Sequence, residues 1–135
     1  MNRFHLKILA AERVFFDGAC QSLVVPTLDG FYGIQAQHEN VVIAVVPGTL
    51  SLRSAEGEEI AAAVSGGVLK MENNEALLLA DTVERPEEID LSRAERDAAE
   101  AKEALLQKRS AQESHLAEER MARALGRIRT KKYKR

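Results

Sequence analysis

The chain changes its hydrophobic period once, at Arg85-Pro86, and that change divides it into two kinds of structure. Before it, apolar residues alternate with polar ones: Phe4, Leu6 and Ile8 do so, as do Leu50 with Leu52 and Leu77 with Leu79. A period of two gives a strand one buried face. Val41 to Val46 is apolar throughout and predicts a strand covered on both faces. Asp17-Gly18, Asp29-Gly30, Pro47-Gly48, Glu56-Gly57, Gly66-Gly67 and Asn73-Asn74 punctuate these runs as turns. Short strands at this spacing predict an antiparallel β-sandwich or barrel, and residues 1–84 are assigned to a sandwich domain of open strand order.

After Pro86 no proline follows, and the only glycine is Gly126. Leu91, Ala94, Ala98, Ala101 and Leu105 are spaced 3, 4, 3 and 4, so they form one stripe of a helix. Asp90 precedes the stripe as an N-cap. Ala117, Met121, Ala124 and Ile128 form a second stripe, beyond a polar stretch from Gln107 to Ser114. Residues 85–135 are therefore predicted to be a helical hairpin. Its facing residues are mostly alanine, which buries little apolar surface at about 0.8 kcal/mol per CH₂. The connection holds no glycine or proline, so it permits helix. These features suit a two-state element and suit an ordinary small hairpin equally.

A net charge of −2 conceals a polarised end: residues 120–135 carry 8 of the 19 Lys/Arg and none of the 21 Asp/Glu. Such an end is a solvated tail or meets something negative. The longest apolar run is far shorter than a bilayer span. The N-terminus shows no signal-peptide core, so the chain is expected to stay where it is made. Cys20 is alone, which excludes an internal disulfide, and is expected in the core or at a strand edge. Histidines stand only at 5, 38 and 115, without metal-ligand spacing, and no P-loop or nucleophile motif is present. No catalytic, metal or obligatory cofactor site is predicted. Gly30 and Gly33 are read as turn residues rather than a phosphate cradle. A nucleic-acid-binding adaptor is the alternative for the basic end, but Tyr133 is its only stacking aromatic.

The order of parts resembles the epsilon subunits of bacterial and chloroplast ATP synthases. The resemblance rests on Val25-Pro26-Thr27-Leu28-Asp29-Gly30-Phe31-Tyr32-Gly33-Ile34, then His38, Pro47-Gly48-Thr49-Leu50, Val64-Ser65-Gly66-Gly67-Val68-Leu69, Leu79-Ala80-Asp81-Thr82-Val83 and Ile89-Asp90-Leu91-Ser92-Arg93-Ala94. It covers roughly residues 4 to 130. The family usually has Gly before the histidine and Pro two residues after it, where this chain has Gln37 and Asn40, so a different backbone path is expected there.

The resemblance implies a non-catalytic rotor subunit at the cytoplasmic face of a bacterial membrane, peripheral to it through the complex. Its implied partners are the gamma subunit, the c-ring and the catalytic alpha and beta subunits, with no nucleic acid. It assigns Asp29, Phe31, Tyr32 and His38 to contact with the c-ring or gamma. It makes the hairpin a regulator that permits turnover when folded and blocks ATP hydrolysis when extended, with Arg123, Arg127, Arg129, Lys131 and Lys132, followed by Lys134 and Arg135, as an inhibitory cationic tip. Some members hold the folded hairpin closed with ATP. Glu84, Ile89, Asp90, Arg93, Ala94, Arg123 and Arg127 match that nucleotide site, whereas Glu100 replaces its second first-helix arginine and Asp97 replaces an alanine. Weak regulatory ATP is the most that this pattern implies, since a carboxylate reverses the local preference for phosphate.

Overall fold

A computed structural model describes residues 2–107 and 110–133. Nine strands come first: β1 (Phe4–Ala10), β2 (Arg13–Thr27), β3 (Gly30–Gln35), β4 (Val41–Val45), β5 (Gly48–Ser54), β6 (Glu59–Val64), β7 (Gly67–Glu72), β8 (Glu75–Ala80) and β9 (Val83–Glu84). They form a β-sandwich whose hydrogen-bonded path runs β4-β7-β8-β1-β2-β5-β6-β9, with β3 added to β2. The 15-residue β2 joins the two layers, since its first half pairs with β1 and its second half with β3 and β5. A register shift between Cys20 and Ser22 marks the crossing. The pairings are antiparallel except β1 with β8, which is parallel.

Phe4, Leu6, Ile8, Leu23, Ile34, Leu50, Leu52, Leu69, Met71 and Leu78 fill the space between the layers. Each contributes roughly 1.5–3 kcal/mol by leaving water. Cys20 is buried with them. Two strands depart from expectation. In β8 the buried residues are Ala76 and Leu78, so Leu77 and Leu79 lie on the outer face. Three consecutive leucines leave the phase of a period-two pattern undetermined, and pairing with β1 and β7 sets it. Val41 to Val46 is not covered on both faces: β4 is the last strand of its path, and Val42 is 68% exposed.

Gln37 adopts φ 64°, a left-handed conformation that glycine enters more freely than a residue with a side chain. Asn74 Oδ1 accepts from the Gln37 N–H at 2.7 Å, and Asn40 Oδ1 accepts from the Asn73 N–H at 3.1 Å. Gln37→Gly is expected to stabilise the sandwich by about 1 kcal/mol, because a left-handed non-glycine residue costs roughly that much. Chemical denaturation would read this as a higher midpoint with an unchanged slope.

Past β9, Pro86–Glu88 makes one 3₁₀ turn, followed by α1 (Leu91–Leu106) and α2 (Ala111–Lys131). Asp90 caps α1 by accepting from the Arg93 N–H at 3.1 Å, and Ser110 caps α2 from Glu113 at 3.2 Å. The expected polar connection is shorter than Gln107–Ser114, since α2 begins at Ala111. Ala94 and Ala101 of α1 and Ala117 and Ala124 of α2 are buried. α2 packs on β5 and β6, and α1 packs on α2.

Candidate functional site

Three places carry the chemistry, and each is positioned by a different part of the fold. The first is the β2–β3 turn. Thr27 Oγ1 donates to the Gly30 carbonyl at 2.6 Å and accepts from the Asp29 N–H at 3.2 Å, while Gly30 takes φ 110°. Gly33 lies within β3 with no left-handed angle, so turn geometry explains only Gly30. The closed turn leaves Leu28 90% and Phe31 72% exposed. Tyr32 turns the other way: its hydroxyl lies 3.1 Å from His38 Nε2, and its ring meets the imidazole edge-on at 5.6 Å. His38 Nδ1 lies 2.8 Å from the Glu39 carbonyl. The expected aromatic pair is therefore divided. Phe31 projects with Leu28, which the sequence reading passed over, while Tyr32 and His38 brace the loop behind them.

The second place is the linker from β9 to α1. Arg13 donates to both Glu88 carboxylate oxygens at 2.8 Å and to the Val83 carbonyl at 2.7 Å. Those Arg13 bonds, with one from the Arg85 N–H, hold Glu88 well below the usual carboxylate range, at about 2. Arg13 and Arg85 also lie over the Phe15 ring, 5.7 and 5.1 Å from its centroid. The start of the hairpin is thereby pinned to β2 across 75 residues of sequence.

The third place is the face of the hairpin. Glu84, Asp90, Arg93, Ala94 and Arg127 line one cleft with Glu88 and Asp97. Ile89 is buried beside it, whereas Arg123 is elsewhere, in a groove with Pro47, Gly66, Gly67 and Asp81. Arg127 Nε donates to Glu84 Oε1 at 2.5 Å, with both side chains nearly three-quarters buried. Arg120 reaches from α2 to Glu100 at 2.9 Å and to Asp97 at 3.7 Å. The cleft is small and acidic. Its volume is about 190 Å³, below the roughly 300–1,000 Å³ of ligand pockets, and four of its lining residues are carboxylates.

The basic end of α2 lies against the sandwich in this folded form. Lys131 Nζ donates to the Pro86 carbonyl at 2.8 Å, and Arg123 faces Glu119 of its own helix at 4.0 Å. Arg129 and Tyr133 border a cavity of about 620 Å³ with Phe31, Pro26 and Val46. Lys132 closes the helix, and Lys134 and Arg135 lie outside the described residues. Two further contacts seat α2. Gly126 comes so close to Gly48 that a Cβ would stand 3.1 Å from the Gly48 nitrogen, and the Thr130 and Thr49 hydroxyls meet at 2.7 Å. Gly126 is marked in the sequence as the lone glycine after Pro86, but nothing local gives its partner or that of Thr130, because both partners are distant in sequence.

The model of the ATP synthase delta/epsilon chain beta-sandwich domain matches residues 3–86, and that of the delta/epsilon chain long alpha-helix domain matches residues 87–132. The chain belongs to the ATP synthase delta/epsilon chain family. Its relatives include the ATP synthase epsilon chain of Caldicellulosiruptor bescii, 38% identical over 95% of this chain and 93% of that one. The epsilon chain of Ruminococcus albus is 36% identical over 93% of each. Among solved structures, a chain of the Euglena gracilis mitochondrial ATP synthase matches the fold with a TM-score of 0.82. It is 18% identical, and the match covers 93% of this chain and 79% of that one. As an epsilon chain, the protein is a non-catalytic, accessory subunit of ATP synthase. Among the described residues, no helix of this epsilon chain is long and apolar enough to cross a membrane.

Proposed function

We propose that this epsilon chain is a rotor component that joins the ring of membrane c subunits to the gamma subunit, and that its helices restrain ATP hydrolysis when released from the sandwich. The observation that carries the reading is the projection of Leu28 and Phe31 from one braced turn. Large apolar side chains held outward by a rigid loop are suited to a partner surface. A second apolar surface supports contact with gamma. Ala44, Val68, Leu79, Leu9 and Val14 are consecutive cross-strand partners on the outer face of the first layer. The complex would hold the chain at the membrane's cytoplasmic face.

The hairpin's attachment supports the regulatory half. α2 packs on β5 and β6 of the sandwich, and its contacts there include one close glycine approach, one hydroxyl pair and an arginine–glutamate pair with β9. The fully buried residues of α2 are all small, Ala117, Ala124, Gly126 and Thr130, so release uncovers no large fully buried side chain of the helix. The freed end would offer Arg123, Arg127, Arg129, Lys131 and Lys132 to acidic loops of the catalytic subunits.

Replacing Leu28 and Phe31 by serine is expected to lower ATP-driven proton pumping in reconstituted enzyme several-fold, as for a lost interface anchor. The chain itself should stay folded, since neither side chain belongs to the core. Undiminished pumping by a normally assembled complex would show that this loop seats nothing.

A further inference from the structure

The cleft beneath α1 and α2 places the chain's own anions where the family resemblance puts the phosphates of a nucleotide. We propose that the folded hairpin is latched by ion pairs internal to the chain, Arg120 with Asp97 and Glu100 and Arg127 with Glu84, so that closure depends on ionic strength and excludes nucleotide.

The two halves of the latch close different joints. Asp97 and Glu100 stand one turn apart on α1, and the Arg120 guanidinium of α2 reaches both, at 3.7 and 2.9 Å. This half ties the helices to each other. Glu84 belongs to β9, and its bond to Arg127 ties α2 to the edge of the sandwich. The fully buried apolar residues of the two helices are Ala94, Ala101, Ala117 and Ala124, all small, while the larger Leu91, Leu105, Met121 and Ile128 are only half-buried. The ionic contacts therefore act beside a seam that holds no large fully buried side chain.

The same arrangement opposes a polyphosphate. An arriving phosphate would have to displace Glu84 from Arg127 and then remain beside Glu84, Glu88, Asp90 and Asp97. Arg93 is the one cleft cation without an ion-pair partner among the described residues, so it could not neutralise several phosphate charges alone. Glu100, at the position of a phosphate-facing arginine by resemblance, is instead an anion already holding a cation.

The halves also differ in exposure, and so in their response to salt. The Arg120 and Glu100 side chains are 45% and 60% exposed, against 28% and 29% for Arg127 and Glu84. Screening shortens from about 10 Å at 0.1 M salt to about 3 Å at 1 M, and it acts on exposed charges first. High salt should separate α1 from α2 before it lifts α2 from the sandwich.

The test uses the isolated full chain with labels at Ser92→Cys on α1 and Glu118→Cys on α2, both exposed positions, while Cys20 is buried. Pulsed distance measurements give the open fraction. Arg120→Glu, which turns two attractions into repulsions, is expected to raise that fraction about tenfold. Combining it with Glu100→Arg restores an opposite pair and should return the fraction to within about twofold of the unsubstituted chain. One molar NaCl should open the unsubstituted chain several-fold, and millimolar ATP should neither bind in a calorimeter nor change the distances. An Arg120→Glu chain as closed as the unsubstituted one, a swap no better than the single change, or closure driven by ATP would overturn the latch. The functional meaning of the latch rests on the hairpin being a restraint, and hydrolysis by the assembled complex tests that separately. An open Arg120→Glu hairpin with unaltered hydrolysis would reject the restraint and leave the latch in place.

Discussion

Gly67→Ala is expected to destabilise the sandwich by about 3 kcal/mol or more, the upper range for forcing atoms into a packed site. A Cβ at this position would lie 1.9 Å from the Leu79 carbonyl oxygen and 2.9 Å from Ala80 Cα. Both obstacles are backbone, so no side chain can rotate aside. Relief requires β7 to move away from β8, which breaks the ladder where Gly67 pairs with Ala80 and, on its other side, with Val45 of β4. A domain of this size has roughly 5–15 kcal/mol in total, so the change removes a large fraction. The urea midpoint should fall by about 1–3 M. Gly33→Ala is the control: nothing lies within 4 Å of its Cβ, and its midpoint should stay close to that of the unsubstituted chain. Equal midpoints for Gly67→Ala and the unsubstituted chain would mean that β7 and β8 do not approach as described.

The sequence disclosed the strand-rich half and the paired helices because each rests on a local period. Phe4, Leu6 and Ile8 of β1 are buried as their alternation requires, and Ala94 and Ala101 face inward as their spacing requires. The phase of β8 was not legible, since Leu77, Leu78 and Leu79 satisfy either face. Nor was the exposure of β4, because an apolar run does not reveal whether a neighbour covers it. At the site, Asp90 could be read as a cap from its position before the stripe. The bond of Tyr32 to His38 and the bidentate grip of Arg13 on Glu88 could not be read, since they depend on tertiary closure. Charge gave a partial clue. Asp97 and Glu100 stood out as anions at positions of expected small or basic residues, but only the fold shows that Arg120 faces them.

Gly126→Leu is expected to release α2 from the sandwich while leaving the sandwich folded. Glycine inside a helix costs about 1 kcal/mol against alanine, so by propensity alone Gly126 weakens α2. Its position supplies the compensation. The helix backbone lies against Gly48 of β5, with room for a Cβ only at 3.1–3.2 Å from Gly48 nitrogen and Cα. Gly48 cannot retreat easily, because its own α-carbon is backed by Pro26, where a Cβ would meet ring atoms at 3.0 Å. Leucine therefore both strengthens the isolated helix and forbids its seat, so the two effects push in one direction. An overpacking cost of about 2 kcal/mol would shift the docking equilibrium roughly thirtyfold. The Thr130–Thr49 hydroxyl pair and the Arg127–Glu84 bond would part with it. Hydrogen exchange should show the amides of β5 and β6 protected as before and those of Gly126 to Thr130 exchanging at least about tenfold faster. In assembled enzyme, release should lower ATP hydrolysis if the freed helices are the restraint. Removing residues 111–135 from the same variant should then restore it. Native protection around Gly126 in the leucine variant would refute the close seat, and lost protection with unchanged hydrolysis would refute the restraint.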